Sequence, residues 1–351
     1  MAEEKPDNSS TASSTRRSVL QGIGAVALGS SIAISGSASA ANTKVHVITG
    51  SERSPITEAE MQDIRNSAAS KAGVSEPRVT TEYSDLDDPI VGFTYAVDEN
   101  GRSEQTTTIA GDSESIDDMR ERANQAASDI SSSLKHGRTV GTSDVTTSGD
   151  VTTQAKSWDN IHSDTDYYKK SPYGEVGNGH DWYELSDDSY SNFTPMAIHQ
   201  KHITTPGASL WDNEWENFRA FCTHDWTLGD GDYITDHGPT GTTDTSSGSV
   251  DTTVNLTVDG KTLSYDDWVQ DDVEIKDQTT KSTGVAEWQN TYFGNSRDGY
   301  GLFEPGSAVL IPDNDSGTSE KVVDLISKQK YYGPSASFHN LKYTYGLVYN
   351  F

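Results

Sequence analysis

The chain has one cysteine among 351 residues, Cys222. No intramolecular disulfide is open to it, so stability has to come from packing. Basic residues are scarce, 26 against 54 acidic ones, for a formal charge of -28. A field of that sign disfavours nucleic acid phosphates and anionic lipid head groups as partners. Long apolar runs are missing as well. The stretch from Gly22 to Gly36 is interrupted by Gly24, Gly29 and Ser30-Ser31, and falls short of the roughly 20 residues that span a bilayer. No stable membrane anchor is expected. Aromatic residues are rare before residue 157, where only Tyr83, Phe93 and Tyr95 occur. They are dense after it, and a chain that is 9% aromatic is too rich in rings to be disordered.

The N-terminus carries Thr15-Arg16-Arg17-Ser18-Val19-Leu20, the weakly apolar run, and then Ala38-Ser39-Ala40. A charged region, a short apolar region and an Ala-x-Ala site in that order read as a secretory signal peptide. With its paired arginines the segment resembles a twin-arginine (Tat) export signal. The resemblance implies that Arg16 and Arg17 are the recognition residues, that cleavage falls at Ala38 and Ala40, and that the protein is exported already folded. The expected location is extracellular. Carboxylate excess on an aromatic-bearing chain resembles salt-adapted secreted proteins of halophilic archaeal type, whose hydrated acidic surface stays soluble where salt screens self-repulsion.

Composition and periodicity divide the rest. Residues 1–40 are the signal, 41–135 a small α+β domain, 136–157 a Gly/Ser/Thr-rich linker and 158–351 a β-rich, aromatic-dense domain. In the first domain Lys44 to Ile48 predict a strand, and Thr57 with Glu60 forms a capping box for a helix that Gly73 stops. Val91, Phe93, Tyr95 and Val97 alternate along a strand into Asn100-Gly101, where a two-residue turn would set Glu99 opposite Arg102. A second helix is expected from about Ser115 to Leu134. The expected fold is an α+β plait, either a pro-domain or a permanent structural domain, followed by an antiparallel β-sandwich or jelly-roll. In the latter, Asp259-Gly260 predicts a type I′ hairpin opposing Leu256 to Leu263 and Val254 to Tyr265. Leu341 to Phe351 alternate strictly, and a strand so apolar belongs inside a sheet rather than at its edge. Val322, Val323, Leu325 and Ile326 form the main competing helical pattern.

Chemistry-bearing residues are sparse. Cys222 and His224 would share one face of a strand, the geometry a thiolate nucleophile and its base require, and His237 is a further base candidate. Phe218, Phe221 and Trp226 around them favour a buried thiol instead. Asp212, Glu214 and Glu216 offer an acidic pair of glycosidase type. Asp313 and Asp315 form half a calcium loop, and His199 with His202 could serve zinc only from a helix. No other cofactor is expected. The functions in view are a secreted binding or effector protein recognising an extracellular glycan, an envelope component or another protein, including an antimicrobial of halocin type released from its N-terminal domain; a secreted hydrolase; and a structural surface or filament subunit.

Overall fold

A computed structural model describes residues 32–34, 45–84, 86, 88–111, 139–140, 158–186, 190, 192–228, 234–245, 248–312 and 318–351. Arg16, Arg17, Ala38, Ala40, the helix expected over 115–134, most of the linker, and Asp313 with Asp315 lie outside them.

Period-two alternation dominates the described chain and sets its class. In order it forms β1 (Ile32–Ile34), β2 (Val45–Thr49), α1 (Glu58–Ala72), β3 (Val79–Ser84), β4 (Ile90–Val97), β5 (Ser103–Ile109) and β6 (Thr139–Val140). There follow β7 (Trp158–Lys170), β8 (Gly174–Leu185), β9 (Phe193–Pro206), a one-turn α2 (Gly207–Trp211), β10 (Glu216–Asp225), β11 (Ile234–Gly238) and β12 (Thr242–Asp244). The chain closes with β13 (Val250–Val258), β14 (Lys261–Val269), β15 (Val273–Asp277), β16 (Val285–Tyr292), β17 (Gly301–Phe303), β18 (Gly306–Pro312), β19 (Ser319–Gly333) and β20 (Ser337–Asn350).

Two sheets carry the architecture. The first runs β1-β2-β4-β5-β7-β8-β9-β18-β11, with β6 on β7 and β17 on β9. The second runs β12-β15-β16-β10-β19-β20-β3. They pack face to face, as a sandwich does. Trp182, Met196 and Ile198 of the first share a core with Ala220, Trp288, Leu325, Tyr343 and Tyr345 of the second. A separate hairpin, β13-β14, lays Val254, Leu256, Val258 and Leu263 on Trp158, Tyr183, Leu185 and Ala197. Its register opposes Leu256 to Leu263 and Val254 to Tyr265, and Asp259 and Gly260 both take positive φ, as a type I′ turn demands.

The α+β plait is overturned. Among the described residues before 158, α1 is the one helix, and the strands around it are shared out between two long sheets. β5 pairs in parallel with β7, and β3 adds to β20. The local signals around α1 were sound. Thr57 Oγ1 accepts from the Glu60 amide, Glu60 Oε2 accepts from the Thr57 amide, and Gly73 ends the helix at φ 83°. What periodicity cannot supply is the distant partner of each strand. The Asn100-Gly101 turn is also longer than expected. Asp98, rather than Glu99, faces Arg102, and its Oδ1 accepts from the amides of Asn100 and Arg102. The apolar pattern at 320–330 is strand, because both edges of β19 find partners, in β10 and β20. No helix among the described residues is long and apolar enough to cross a membrane.

Candidate functional site

The interior between the sheets is unusually polar. Inward positions of β7, β8 and β9 hold His162, Asp164 and Asp166, then Asn178 and His180, then Gln200, His202 and Thr204, all buried. Facing them stand Asn217, His224, Ser327, Gln329 and Tyr345, also buried. Polar groups out of water stay only if they bond one another. At the centre of this seam they do so in a directed chain. Trp226 Nε1 donates to Ser307 Oγ at 2.9 Å, and that hydroxyl meets His224 Nδ1 at 2.7 Å. His224 Nε2 lies 2.9 Å from the Gln200 carbonyl oxygen, which can only accept. Gln200 Nε2 donates to Asn178 Oδ1 and Ser327 Oγ, each at 2.8 Å, and Asn178 Nδ2 donates to Tyr345 OH. Farther along, His202 meets Gln329, which donates to Asn217 at 3.1 Å.

This wiring decides what Cys222 and His224 can do. They do share a face of β10, but the Cys222 thiol is fully buried and burial pushes its pKa up. Burial, reinforced by nearby His199, lowers His224 to about 3. Both His224 nitrogens are engaged elsewhere, so His224 does not receive the thiol proton. His237 sits across the Trp288 ring and binds Asp277 through Nε2 at 2.9 Å. His199 and His202 point to opposite faces of β9, and only His202 enters the seam. Of the acidic group, Glu216 pairs with Arg297 at 2.5 Å.

Single atoms elsewhere in the seam, such as His202 Nδ1 and Tyr343 OH, lack a partner, but at one corner several such atoms gather. Neither ring nitrogen of His180 has a hydrogen-bond partner, and Asp164 Oδ1 and Asp166 Oδ2 are likewise unpartnered. Each such atom costs about 1–3 kcal/mol. Burial raises both carboxyls above the usual carboxylate range, Asp166 further through the charge of Asp164.

The outward face of the second sheet offers a different site. Alternation puts Arg219 and Phe221 of β10 and Lys328, Lys330 and Tyr332 of β19 on that face, together with Phe338 and Lys342 of β20. In register, Lys330 lies across from Arg219, Lys328 from Phe221 and Lys342, and Tyr332 from Phe338. The rings cluster. Phe218 lies 5.1 Å from Phe338, and Tyr332 5.4 Å from Phe338, between centroids. Cations cap them: Lys330 Nζ is 4.1 Å from the Phe338 centroid, Arg219 4.9 Å from that of Phe218 and Arg297 5.2 Å from that of Tyr332. Phe338 is 48% exposed. No acidic residue occurs within 219–221, 328–332 or 338–342. Farther along the same strands the sign reverses, with Asp225 opposite Asp324. In a chain carrying twice as many acids as bases, this end is locally basic and aromatic.

No family model matches the chain, and no curated protein matches it by sequence. Solved structures similar to it include the following two. Clostridium perfringens delta-toxin has a TM-score of 0.34 at 10% identity, over 56% of this chain and 90% of that one. A pore forming protein has a TM-score of 0.33 at 7% identity, over 57% and 94%. Likeness at this level is too slight to bear on what the chain does.

Proposed function

We propose that the chain is a secreted, β-rich effector that acts at the envelope of other cells and attaches peripherally to their anionic lipid surface through the basic, aromatic end of its second sheet. The export signal supports secretion, and the face just described carries the attachment. Lys and Arg near an anionic leaflet contribute about 1 kcal/mol each. Aromatic side chains seat themselves at the headgroup level. A glycan site would also set carboxylates or amides beside its rings; here one amide, Asn340, stands across from Lys330, and Glu216, across from Tyr332, is already paired with Arg297. The net charge of -28 that disfavours such a surface is a sum over the whole molecule. The lipid meets the local sign, within a screening length of about 8 Å at physiological salt and about 3 Å at 1 M. In brine the rings therefore contribute the larger share. Halocin-type antimicrobial action is the form of effect this reading names, exerted with the strands before residue 110 in place, because β3 and β5 are partners of β20 and β7.

Sedimentation with vesicles tests it. The full chain is expected to bind vesicles rich in phosphatidylglycerol and not those of phosphatidylcholine alone. Lys328→Ala with Lys330→Ala should weaken binding by about 30-fold at low salt, the equivalent of two basic contacts. Phe338→Ser should weaken what remains at high salt. Equal binding to both lipids, or unchanged binding by the lysine variant, overturns the reading. So does binding to a soluble anionic polysaccharide with none to vesicles.

A further inference from the structure

His162 and Asp164 stand two apart on β7 and share its inward face, and Asp164 lies opposite His180 of β8 in register. One donor atom from each residue lies within 4.8 Å of the other two. The two imidazole rings are 5.6 Å apart and tilted by 45°. His180 is 3% exposed, stacked on Tyr345, and its ring nitrogens reach no hydrogen-bond partner. Asp164 is 2% exposed, with Oδ1 unpartnered. Three buried donors therefore converge, two of them with unused lone pairs.

The third is prepared for the same purpose. Ser103 Oγ donates to the Val79 carbonyl at 3.2 Å, so it accepts from His162 Nδ1, 2.8 Å away. That fixes the proton on Nδ1 and leaves the lone pair on Nε2. The Thr81 hydroxyl meets Nε2 at 3.1 Å, and it also lies within hydrogen-bonding reach of Asp164. It can turn to the carboxylate without being stranded. Asp164 Oδ2 is held from behind by Gln105 Nε2 at 2.7 Å and by Tyr83 OH at 3.3 Å. An imidazole N–H on a hydroxyl and a carboxylate oxygen on an amide are the outer contacts that orient metal ligands.

We infer that His162, Asp164 and His180 form a structural metal site for a divalent ion of the zinc class, clamping β7 to β8 inside the seam. Two imidazole nitrogens and one carboxylate oxygen suit first-row divalent ions. Calcium and magnesium, which take oxygen ligands, do not fit that set. Bonds of about 2.0–2.2 Å put the ligand atoms of a tetrahedral site, its fourth position taken by water, roughly 3.5 Å apart, so the spacing closes through side-chain rotations of about 1 Å at the tips. The ion's charge also adds to that of Arg65 in offsetting Asp164 and its neighbour Asp166. With all three ligands buried, no substrate reaches the ion.

The test uses the full chain, stripped with a chelator and titrated with Zn²⁺ and Co²⁺ at one fixed salt concentration. One ion per chain should be retained through gel filtration. At free Zn²⁺ 100-fold above the Kd, the unfolding equilibrium constant should fall about 100-fold. Co²⁺ should give the strong visible absorption of a tetrahedral site, which hydrated cobalt on surface carboxylates does not. His180→Phe keeps a ring on Tyr345 and removes a ligand. It should lose one bound ion, the cobalt bands and the metal-dependent stabilisation, and Asp164→Asn, nearly isosteric, should do the same if the phenylalanine variant does not fold. An unfolding curve indifferent to metal overturns the site, as does a folded variant that retains as many ions as the wild type. The second outcome would assign any bound metal to surface acids.

Discussion

His224→Gln is the substitution that reports most directly on how the seam is held. The imidazole of His224 is lowered to about 3, by burial first and then by His199, against an ordinary value near 6.5 in the unfolded chain. Because the folded value is the lower one, the ring's contribution is complete above about pH 6.5. It is lost as pH falls towards 3, at no more than about 1.36 kcal/mol per unit. The wild-type curve alone would not show this. Asp164 and Asp166 are shifted upward, so they contribute with the opposite sign, favouring folding as protons are added. The difference between variant and wild type cancels those carboxyls and isolates the ring. At pH 7 the variant should be less stable by about 1–3 kcal/mol, since Ser307 and Gln200 lose well-placed partners. By pH 5 the wild type has lost about 2 kcal/mol through this residue, and the glutamine variant none. The gap should close or reverse. Denaturant titrations at pH 7, 6 and 5, at constant ionic strength, measure it. A gap that stays constant across that range refutes the buried, neutral imidazole.

Cys222 supplies an independent probe. Fully buried and with its pKa raised, it should resist alkylation in the native chain and react only at the rate of global unfolding. Rapid labelling without unfolding would show the packing around it to be wrong. Cys222→Ser should cost about 1–3 kcal/mol, by placing a hydroxyl without a prepared partner in that pocket. The shared sheets give a third expectation. A protease site introduced between residues 141 and 157, once cut, should leave two fragments that co-elute on gel filtration, because β5 pairs with β7 and β3 with β20 across the cut. Separation of the fragments without denaturant would show those pairings to be weaker than drawn.

Local features of the fold were legible in the residues, and long-range ones were not. The capping box at Thr57, the stop at Gly73 and the Asp259-Gly260 hairpin with its register depend on neighbours a few positions apart, and each stands where its residues place it. The alternation of Leu341 to Tyr349 showed that β20 needs cover on both edges. It could not show that the cover on one edge comes from Val79–Ser84, far back in the chain. The same limit produced the plait. Strands before residue 110 looked like a domain of their own because sequence proximity was the only available guide to partners. Four apolar residues among the five at 322–326, interrupted by Asp324, suit helix or strand equally, and pairing on both edges decides it.

The seam was hidden for a different reason. Reading strands by apolar alternation presumes that inward means hydrophobic. On β7 the inward row is His162, Asp164 and Asp166, and on β9 it is Gln200, His202 and Thr204. A signal was present: polar side chains of unusual type recur every second residue on several strands, a period-two pattern written in histidines, amides and acids. Residues close together in sequence, such as Cys222 and His224, give a more compact but misleading signal. Whole-chain charge misled in a parallel way. The count of 54 acids against 26 bases says nothing of where the bases lie, and Arg219, Lys328, Lys330 and Lys342 are too scattered along the chain to read as a basic patch. The fold sets them on adjacent strands of one sheet face. A partner excluded by the average is thus admitted by the arrangement, and reversing Lys328 and Lys330 to glutamate should abolish vesicle binding while moving the net charge only further in the direction the molecule already has.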